Sequence, residues 1–287
     1  MIHLVINPTA GAGRATRIGD RVIAALQEKK IPFTAVHTAF AGEGEALARQ
    51  AAQAGAETVF AVGGDGTVLE VARGLYGTQA ALGIIPAGTG NDVVKTLGFP
   101  KSPLQALEYQ LGRPSRALDA MAVNGTLSLN VTGTGFDVSV LDYAQKAKKY
   151  VRGLLPYLWG VLCTVVTFRP PEIEAVIDGE RICRKLLVVS LANGRFIGGG
   201  IPIAPMAKVD DGLLTVITVD RLPNWRMPFQ LGRLLGGNVM RIPGAQMRSC
   251  RRATIRCAGM RLNIDGEILP MDSAQVEILP NALRAHW

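Results

Sequence analysis

Short apolar runs alternate with amphipathic segments over the first hundred residues, and this alternation constrains the fold more than any other feature of the chain. Each apolar run has the length of a strand, and the segment after it repeats its apolar residues with the period of a helix. The predicted strands lie at 2–6, 33–38, 58–62 and 82–86. This alternation predicts an α/β domain with a mainly parallel sheet that is covered on both faces.

The pattern changes near residue 115, where β-hairpins replace the strand–helix units. Residues 117–133 read as two strands around an Asn-Gly turn, and 172–194 repeat that layout around Asp178 and Gly179. Further predicted strands and helices lie at 212–219, 253–257 and 274–279, and at 137–150, 154–168 and 225–236, respectively. We therefore expect an α/β domain over 1–115 and an antiparallel β domain over 116–287, whose last residues can return to the first domain.

Three glycine-rich turns follow predicted strands, and each opens a helix. At this end of a parallel sheet, backbone amides and helix amino ends bind anions. The first turn, "NPTAGAG" at 7–13, is by itself only weak evidence for anion binding, because any strand-to-helix turn favours small residues. The chain has no Walker A sequence, and this stretch does not match G-x-G-x-x-G.

The second and third turns hold carboxylates. "VGGDGTVLEV" places Asp65 where a bare phosphate would be repelled, which is sensible if Mg²⁺ lies between the carboxylate and the phosphates. "IPAGTGNDVV" repeats the arrangement with Thr89, Asn91 and Asp92. Considered by itself, Asp65 is explained as an ordinary turn residue, and the third turn is explained as a helix cap. Because the two turns occupy corresponding positions, we expect them to form one shared site.

The motifs "NPTAG", "GGDGT" and "PAGTGND", in this order and spacing, closely resemble those of the diacylglycerol kinase catalytic family, which includes bacterial lipid kinases and sphingosine kinases. The similarity continues through "LDAMAVNG", "NVTGTGFD", "VSLANGRFIGGGIPIAPMAKVDDGLLTVITV" and the terminal "IDGEILP". "GGDGT" is shared with NAD kinases and phosphofructokinases, whereas "GTGND" and "GGGIPIAPMAKVDDGLL" narrow the match to lipid kinases. The resemblance implies an amino-terminal α/β nucleotide-binding domain and a carboxy-terminal antiparallel β-sandwich, with the active site in the cleft between them.

The resemblance also implies roles for individual residues. Asp65 and Asp92 would organise the phosphates and a catalytic Mg²⁺. A structural Mg²⁺ would be bound by the Asp211 carboxylate and by the backbone carbonyls of Lys208 and Leu213, although spacing alone predicts only a turn there. The residues that would contact ATP are Asn7, Pro8, Thr9, Ala10, Gly11, Thr38, Gly64, Asp65, Gly66, Thr67, Val68, Leu69, Glu70 and Thr89.

The tetrapeptide "IDGE" occurs twice, at 177–180 and 264–267. The first copy lies between two β-like runs and is predicted to be only a hairpin turn. The second matches the catalytic Asp-Gly-Glu of the family, which would accept the proton of the lipid hydroxyl. Residues two apart on an extended segment share a face. Asp265 and Glu267 are therefore both candidates for the base, and the sequence does not rank them.

The formal net charge of +8 indicates an anionic partner. Two basic stretches stand out: "QKAKKYVR" at 145–152, directly before an apolar run at 153–168, and six arginines between 241 and 261. A basic stretch joined to an apolar one suits docking on an anionic membrane surface. A solvated face followed by a buried helix is the alternative. Scarce aromatic residues and the lack of a recognised binding motif argue against nucleic acid.

The apolar run falls short of the about 20 residues that span a bilayer, and Pro156 interrupts it. The amino terminus lacks the features of a signal peptide. The four cysteines make no CxxC pair, which predicts reduced, buried thiols. We expect a cytoplasmic protein with peripheral membrane association, and the sequence leaves the oligomeric state open, a homodimer included.

The sequence thus predicts an ATP- and Mg²⁺-dependent lipid kinase that phosphorylates a hydroxyl of a diacylglycerol-like lipid. A kinase of a soluble hydroxyl compound such as NAD is the nearest alternative. A non-catalytic nucleotide- or lipid-binding protein is disfavoured because every acidic position of the family is filled. These positions are Asp65, Asp92, Asp211, Asp265 and Glu267.

Overall fold

The computed structural model describes residues 1–147 and 155–287. Its strands are β1 Ile2–Ile6, β2 Phe33–His37, β3 Thr58–Gly63, β4 Ala81–Pro86, β5 Arg116–Val123, β6 Thr126–Ser128, β7 Val131–Gly135, β8 Glu172–Ile177, β9 Glu180–Ala192, β10 Leu214–Asp220, β11 Ala245–Cys250, β12 Arg252–Arg256, β13 Arg261–Ile264, β14 Glu267–Pro270 and β15 Ser273–Ala285. Its α-helices are α1 Arg14–Glu28, α2 Glu43–Gln53, α3 Asp65–Leu75, α4 Asp92–Leu97, α5 Pro103–Leu111, α6 Phe136–Ala147, α7 Leu155–Thr167 and α8 Met227–Leu235. Short 3₁₀ helices lie at Asn224–Arg226 and Val239–Arg241.

The first four strands form a parallel sheet in the order β2-β1-β3-β4. Helices cover both of its faces, because alternate residues of β1 point into different apolar clusters. Leu4 and Ile6 pack with Leu26 of α1, whereas Val5 packs with Ala48 of α2. The prediction of a mainly parallel α/β domain is confirmed. The carboxyl ends of β1, β3 and β4 lead into the three glycine-rich turns.

Antiparallel strands build the second half of the molecule. The long strand β9 pairs with β7, β8 and β10, and β12 lies between β8 and β15. Side chains from these strands form one apolar cluster that includes Leu186, Leu262 and Val276. This half is the predicted antiparallel β-sandwich.

Strand β15 joins the two halves. It pairs antiparallel with β5 and β12, and its last residues, Arg284 and Ala285, pair in parallel with the start of β4. The register shifts between Leu279 and Leu283, where the chain turns from one set of neighbours to the other. The two halves therefore share one continuous network of strands.

Some elements differ from the sequence-based prediction. The prediction omitted α5, β11 and the hairpin of β13 and β14, and it ended β15 too early. Helix α5 carries a recognisable start signal, since Pro103 occupies its first turn. The first "IDGE" is confirmed as a hairpin turn, because Asp178 and Gly179 connect β8 to β9 with positive φ angles of 45° and 91°.

The four cysteine thiols are free, as predicted. Cys250 is buried, and burial raises the pKa of its thiol to about 12. The prediction of buried thiols is confirmed only for Cys250, because Cys163 and Cys257 are partly buried. Cys183 is exposed because it alternates with the inward-facing Ile182 along β9. Within the described ranges, no helix combines the length and the apolar character needed to cross a bilayer.

Candidate active site

The three glycine-rich turns pack against one another at the carboxyl ends of their strands. Gly11 of the first turn approaches the third so closely that a Cβ atom would collide with the carbonyl oxygen of Ala87. A Cβ atom on Gly64 of the second turn would lie 3.2 Å from the Cα atom of Gly88 in the third. The second and third turns meet as predicted, and the first turn packs against them as well, so that glycine is required where the backbones meet.

A side-chain hydrogen bond fixes the first turn to the second. The Nδ2 atom of Asn7 donates to Oγ1 of Thr67 over 3.0 Å, and its Oδ1 atom accepts from the amide and hydroxyl of Thr9. Thr67 is buried in the first turn of α3. The asparagine thus holds the backbone of the first turn over the amino end of α3, where amides are oriented for an anion.

Asp65 links the second turn to the third. Its Oδ1 atom accepts hydrogen bonds from the backbone amides of Asp92 at 2.7 Å and Val93 at 3.2 Å, so it caps the start of α4. Burial raises the pKa of the Asp65 carboxyl, the nearby charge of Asp92 raises it further, and the amide donors oppose both effects. Asp65 is therefore more than a local turn residue, and it stands beside a second carboxylate.

Asp92 connects the α/β domain to the β-sandwich. Its Oδ2 atom accepts from the backbone amide of Gly199 at 2.9 Å, and Nζ of Lys95 lies 3.4 Å from its Oδ1 atom. Gly199 has a φ angle of 89°, within the "GGG" segment that precedes Ile201. Neither of these two partners of Asp92 was predicted from the sequence. The i+3 spacing of Lys95 from Asp92 on α4 was the available signal for the lysine.

A cavity of 780 Å³ opens between the two domains beside these carboxylates. Its polar lining includes the carboxylates of Asp65, Asp92 and Asp265 and the side chain of Thr89. Apolar residues from α3, α4, the β6–β7 connection, β7, α6 and the loop before the "GGG" segment also line the cavity, and we call them its apolar wall: Leu69, Val93, Leu129, Val131, Leu141, Ala144 and Ile197. One space thus joins an acidic site to an apolar wall, and the sequence could not show this wall because its residues come from distant segments.

Both copies of "IDGE" adopt the same turn. Asp265 and Gly266 have φ angles of 49° and 98° and connect β13 to β14, so the prediction of an extended segment is wrong. Asp265 accepts hydrogen bonds from three consecutive backbone amides, those of residues 129–131, at 2.8–3.1 Å. Asp178 likewise accepts from the amides of Arg251 and Arg252. Each aspartate therefore clamps a neighbouring chain segment.

The glutamates of the two copies differ more than the aspartates do. Glu180 forms an ion pair of 2.6 Å with Arg248, whose hydrogen bond lowers the pKa of Glu180. Glu267 is exposed and follows Gly266, which lines the cavity, and it forms no ion pair with any described residue. Burial raises the pKa of Asp265, although its amide donors act in the opposite direction.

Several residues expected to contact ATP lie in the glycine-rich turns, but others have structural roles. Glu70 accepts hydrogen bonds from the amides of Gly42 and Gly44 and so holds the start of α2. The side chain of Val68 is buried in the core of the first domain. Thr38 is buried at the carboxyl end of β2, where its amide donates to Ile6. The other predicted contacts lie in the turns or at the start of α3: Asn7, Pro8, Thr9, Ala10, Gly11, Gly64, Asp65, Gly66, Thr67, Leu69 and Thr89.

The loop from Lys208 to Leu213 lies outside this cavity. It forms a turn before β10 in which Asp211 accepts from the amide of Leu213 at 3.1 Å. The buried Asp119 fixes the turn, because its two oxygen atoms accept from the amides of Gly212 and Asn281, each at 2.7 Å. The exposed carboxylate of Asp211 faces a separate open cleft of 910 Å³. The sequence analysis gave Asp119 no role, although it lies in the quoted segment "LDAMAVNG".

Most basic residues of the two predicted stretches form ion pairs with acids or lie outside the described residues. Lys148, Lys149 and Arg152 fall in the undescribed range, and Lys146 forms an ion pair of 3.0 Å with Asp142. Of the six arginines between 241 and 261, four form ion pairs with acids: Arg248 with Glu180, Arg252 with Glu277, Arg256 with Glu174 and Arg261 with Asp142. Among the described residues of these stretches, only Arg241 and Arg251 form no ion pair with an acid, so their described part is largely charge-balanced.

Known families match both halves of the chain. Residues 1–123 match the family model of the diacylglycerol kinase catalytic domain, and residues 130–286 match that of the YegS C-terminal NAD kinase beta sandwich-like domain. A diacylglycerol kinase of Mycobacterium tuberculosis is 27% identical over 290 residues, which cover 99% of this chain and 94% of that protein. The "Probable lipid kinase YegS-like" of Pseudomonas aeruginosa is 33% identical over 262 residues, which cover 85% and 81%, respectively.

Solved structures share the whole fold. A crystal structure of a diacylglycerol kinase from Bacillus anthracis covers 100% of this chain and 96% of its own, with a TM-score of 0.73 and 21% identity. Another crystal structure from the same organism has a TM-score of 0.81 and 24% identity, and covers 100% of this chain and 94% of its own. The chain belongs to the family of lipid kinases that combine a diacylglycerol kinase catalytic domain with a YegS-type β-sandwich domain.

Proposed function

We propose that the protein transfers the γ-phosphoryl group of ATP to a hydroxyl of a diacylglycerol-like lipid. The observation that carries this proposal is the single cavity that joins Asp65 and Asp92 to an apolar wall. The acidic end adjoins turns whose amides suit the phosphates of a nucleotide, and the apolar wall suits acyl chains. Phosphoryl transfer depends mainly on holding the two reactants in line and on neutralising the charge of the phosphoryl group. A cleft that takes both reactants beside two carboxylates able to bind Mg²⁺ suits both requirements.

The two carboxylates at the acidic end fit a catalytic magnesium ion. Asp65 and Asp92 lie close enough that one raises the pKa of the other, and a divalent cation would relieve this repulsion. Among the described residues, no three acidic, histidine or cysteine side chains converge on one point. Phosphate oxygens and water would therefore complete the ligand set. When bound, Mg²⁺ would neutralise charge on the transferred phosphoryl group.

The loop that carries Asp211 fits a second, structural magnesium ion. Its donors are hard oxygen atoms, which Mg²⁺ prefers: the exposed Asp211 carboxylate and the backbone carbonyls of Lys208 and Leu213. Asp119 already holds this turn in place from its buried side, because it accepts a hydrogen bond from the amide of Gly212. A cation here would stabilise the same turn from its exposed side, away from the acceptor cavity.

Glu267 is the better candidate for the base that deprotonates the lipid hydroxyl. The two "IDGE" turns share their backbone conformation and their aspartate clamp, so the clamp alone does not make a catalytic site. They differ in the glutamate, because Glu180 is held by Arg248, whereas Glu267 directly follows the cavity-lining Gly266 and forms no ion pair with any described residue. Asp265 then positions the cavity wall, and Glu267 accepts the proton.

The most direct test of the function offers radiolabelled ATP and Mg²⁺ to the purified protein with either diacylglycerol in detergent micelles or NAD as acceptor. NAD is included because the second domain matches a model described as NAD kinase-like. We expect label in an organic-soluble phospholipid identified by mass spectrometry. Label in the dinucleotide instead would favour the soluble-acceptor alternative, and nucleotide binding without transfer to either acceptor would favour a non-catalytic protein.

A further inference from the structure

Helix α7 exposes an apolar face that nothing in the described structure covers. Trp159, Leu162 and Val166 are 57%, 63% and 79% exposed. Their spacing of three and four residues places them on one face of the helix. The opposite face is packed inward, where Val165 joins an apolar cluster of the β-sandwich. Large apolar side chains grouped on one exposed face mark a surface that contacts a partner.

The segment before and within α8 extends this surface. Trp225 and Phe229 are 66% and 74% exposed and lie four residues apart. Helix α7 packs against the 3₁₀ turn Asn224–Arg226, and the inner faces of α7 and α8 enclose a small apolar space beside Met227. Exposed apolar side chains therefore lie on α7 and on the neighbouring segment 224–235. We call these five exposed side chains the apolar surface.

The charge around the apolar surface is positive. Helix α7 has no charged residue, and the segment 224–235 contains two arginines, Arg226 and Arg233, and no acid. The guanidinium carbon of Arg226 lies 4.8 Å from the ring centroid of Trp225, and Arg233 donates to Gln230 on α8. Within the described ranges, neither arginine forms an ion pair with an acid. Tryptophan and arginine together are typical of the interface between water and lipid headgroups.

We propose that the apolar surface, with Arg226 and Arg233, docks the protein onto an anionic lipid bilayer. This inference rests on the proposed function, because it supplies the route by which a lipid acceptor reaches the cavity. Helix α6, which lines the cavity with Leu141 and Ala144, packs tightly on α7 at Gly160. Docking through α7 therefore brings the acceptor cavity next to the membrane. The arginines select an anionic leaflet, because each contributes to binding near such a surface.

The experiment measures sedimentation of the full chain with vesicles of phosphatidylcholine alone or with added phosphatidylglycerol. We expect binding to the anionic vesicles, and a decrease of about tenfold or more in the double variants Trp225→Ser/Phe229→Ser and Arg226→Glu/Arg233→Glu. Matched controls on the first domain are Phe40→Ser, which removes a side chain that is 66% exposed, and Arg17→Glu/Arg21→Glu on α1. The controls should bind like the wild type.

A second measurement separates docking from catalysis. Phosphoryl transfer to a short-chain diacylglycerol, kept below its micelle concentration, should stay within about twofold of wild type in the double variants because the cavity is intact. Wild-type binding of vesicles by both double variants would overturn the docking proposal and leave the kinase proposal standing. A wild-type dimer that the Trp225→Ser/Phe229→Ser variant dissociates, with vesicle binding unchanged, would also overturn it. Vesicle binding without transfer to any lipid would refute the kinase proposal alone.

Discussion

At the scale of single residues, Asp65 combines two roles that one substitution can separate. Its Oδ1 atom caps α4, and its charge lies beside Asp92 at the cavity. The substitution Asp65→Asn keeps an oxygen atom that accepts the capping hydrogen bonds and removes the negative charge. We expect Asp65→Asn to lower kcat about a thousandfold with an unchanged fold, whereas Asp65→Ala should also lose about 1 kcal/mol of stability through the lost cap. Near-wild-type turnover of a folded Asp65→Asn protein would refute the catalytic assignment.

The raised pKa of Asp65 also has a consequence for stability. Between its unfolded value of 3.8 and its higher folded value, the folded protein holds more protons than the unfolded chain. The free energy of unfolding therefore falls as pH rises through this window, and the cost remains at neutral pH, where the carboxylate is ionised. Asp65→Asn removes the cost. The Tm of the variant relative to wild type should be higher at pH 7 than at pH 4, and calorimetry that showed the reverse would contradict this assignment.

The two "IDGE" copies provide a matched test of the base. Glu267→Gln should lower turnover about 10²–10⁴-fold without changing Tm or ATP affinity, because it removes the proton acceptor and keeps the shape. Glu180→Gln, its control on the other turn, should leave turnover near wild type. Asp265→Asn and Asp178→Asn both weaken a clamp, so we expect smaller losses. A normal Glu267→Gln enzyme combined with a strongly impaired Asp265→Asn enzyme would instead assign the base to Asp265.

At the scale of elements, the contact between the glycine-rich turns is testable with two glycines of one turn. Gly11 and Gly13 both have positive φ, but a Cβ atom at Gly11 meets the backbone of Ala87, whereas one at Gly13 meets open space. We expect Gly11→Ala to lower the free energy of unfolding by about 2–3 kcal/mol and Gly13→Ala by about 1 kcal/mol. Equal losses in urea unfolding would show that the turns do not depend on this contact.

The elements that the sequence predicted best were those with a strong local pattern. The β1–β4 and α1–α4 units follow from apolar periodicity and glycine-rich turns, because both signals act within a few residues. The prediction ended β15 too early because Pro280 and Asn281 resemble a strand end, whereas the chain continues through an irregular register to reach β4. The second "IDGE" was taken as extended although Asp-Gly favours a turn. The resemblance to a catalytic motif was given more weight than this local turn signal, so the prediction of its conformation was wrong.

At the scale of the whole molecule, the site is assembled from segments that are remote in sequence. Asp65, Asp92 and Asp265 could be singled out from motifs alone, and the structure brings all three to one cavity. The bond from Gly199 to Asp92 and the apolar wall around Leu141 could not be predicted, because they depend on how the two domains pack. The motifs were therefore sufficient to identify the acidic residues of the site, whereas the apolar residues of the acceptor cavity could be identified only from the fold.

If the phosphate site and the lipid cavity are parts of one cleft, a substitution that fills the cavity should block phosphoryl transfer to the lipid. Leu141→Trp on α6 adds bulk to the apolar wall far along the chain from the glycine-rich turns. The measurement is the initial rate of label transfer from ATP to diacylglycerol, with ATP affinity determined by calorimetry on the same preparation. We expect kcat/KM for the lipid to fall about a hundredfold with unchanged ATP affinity. A folded Leu141→Trp protein that phosphorylates diacylglycerol at the wild-type rate would contradict it.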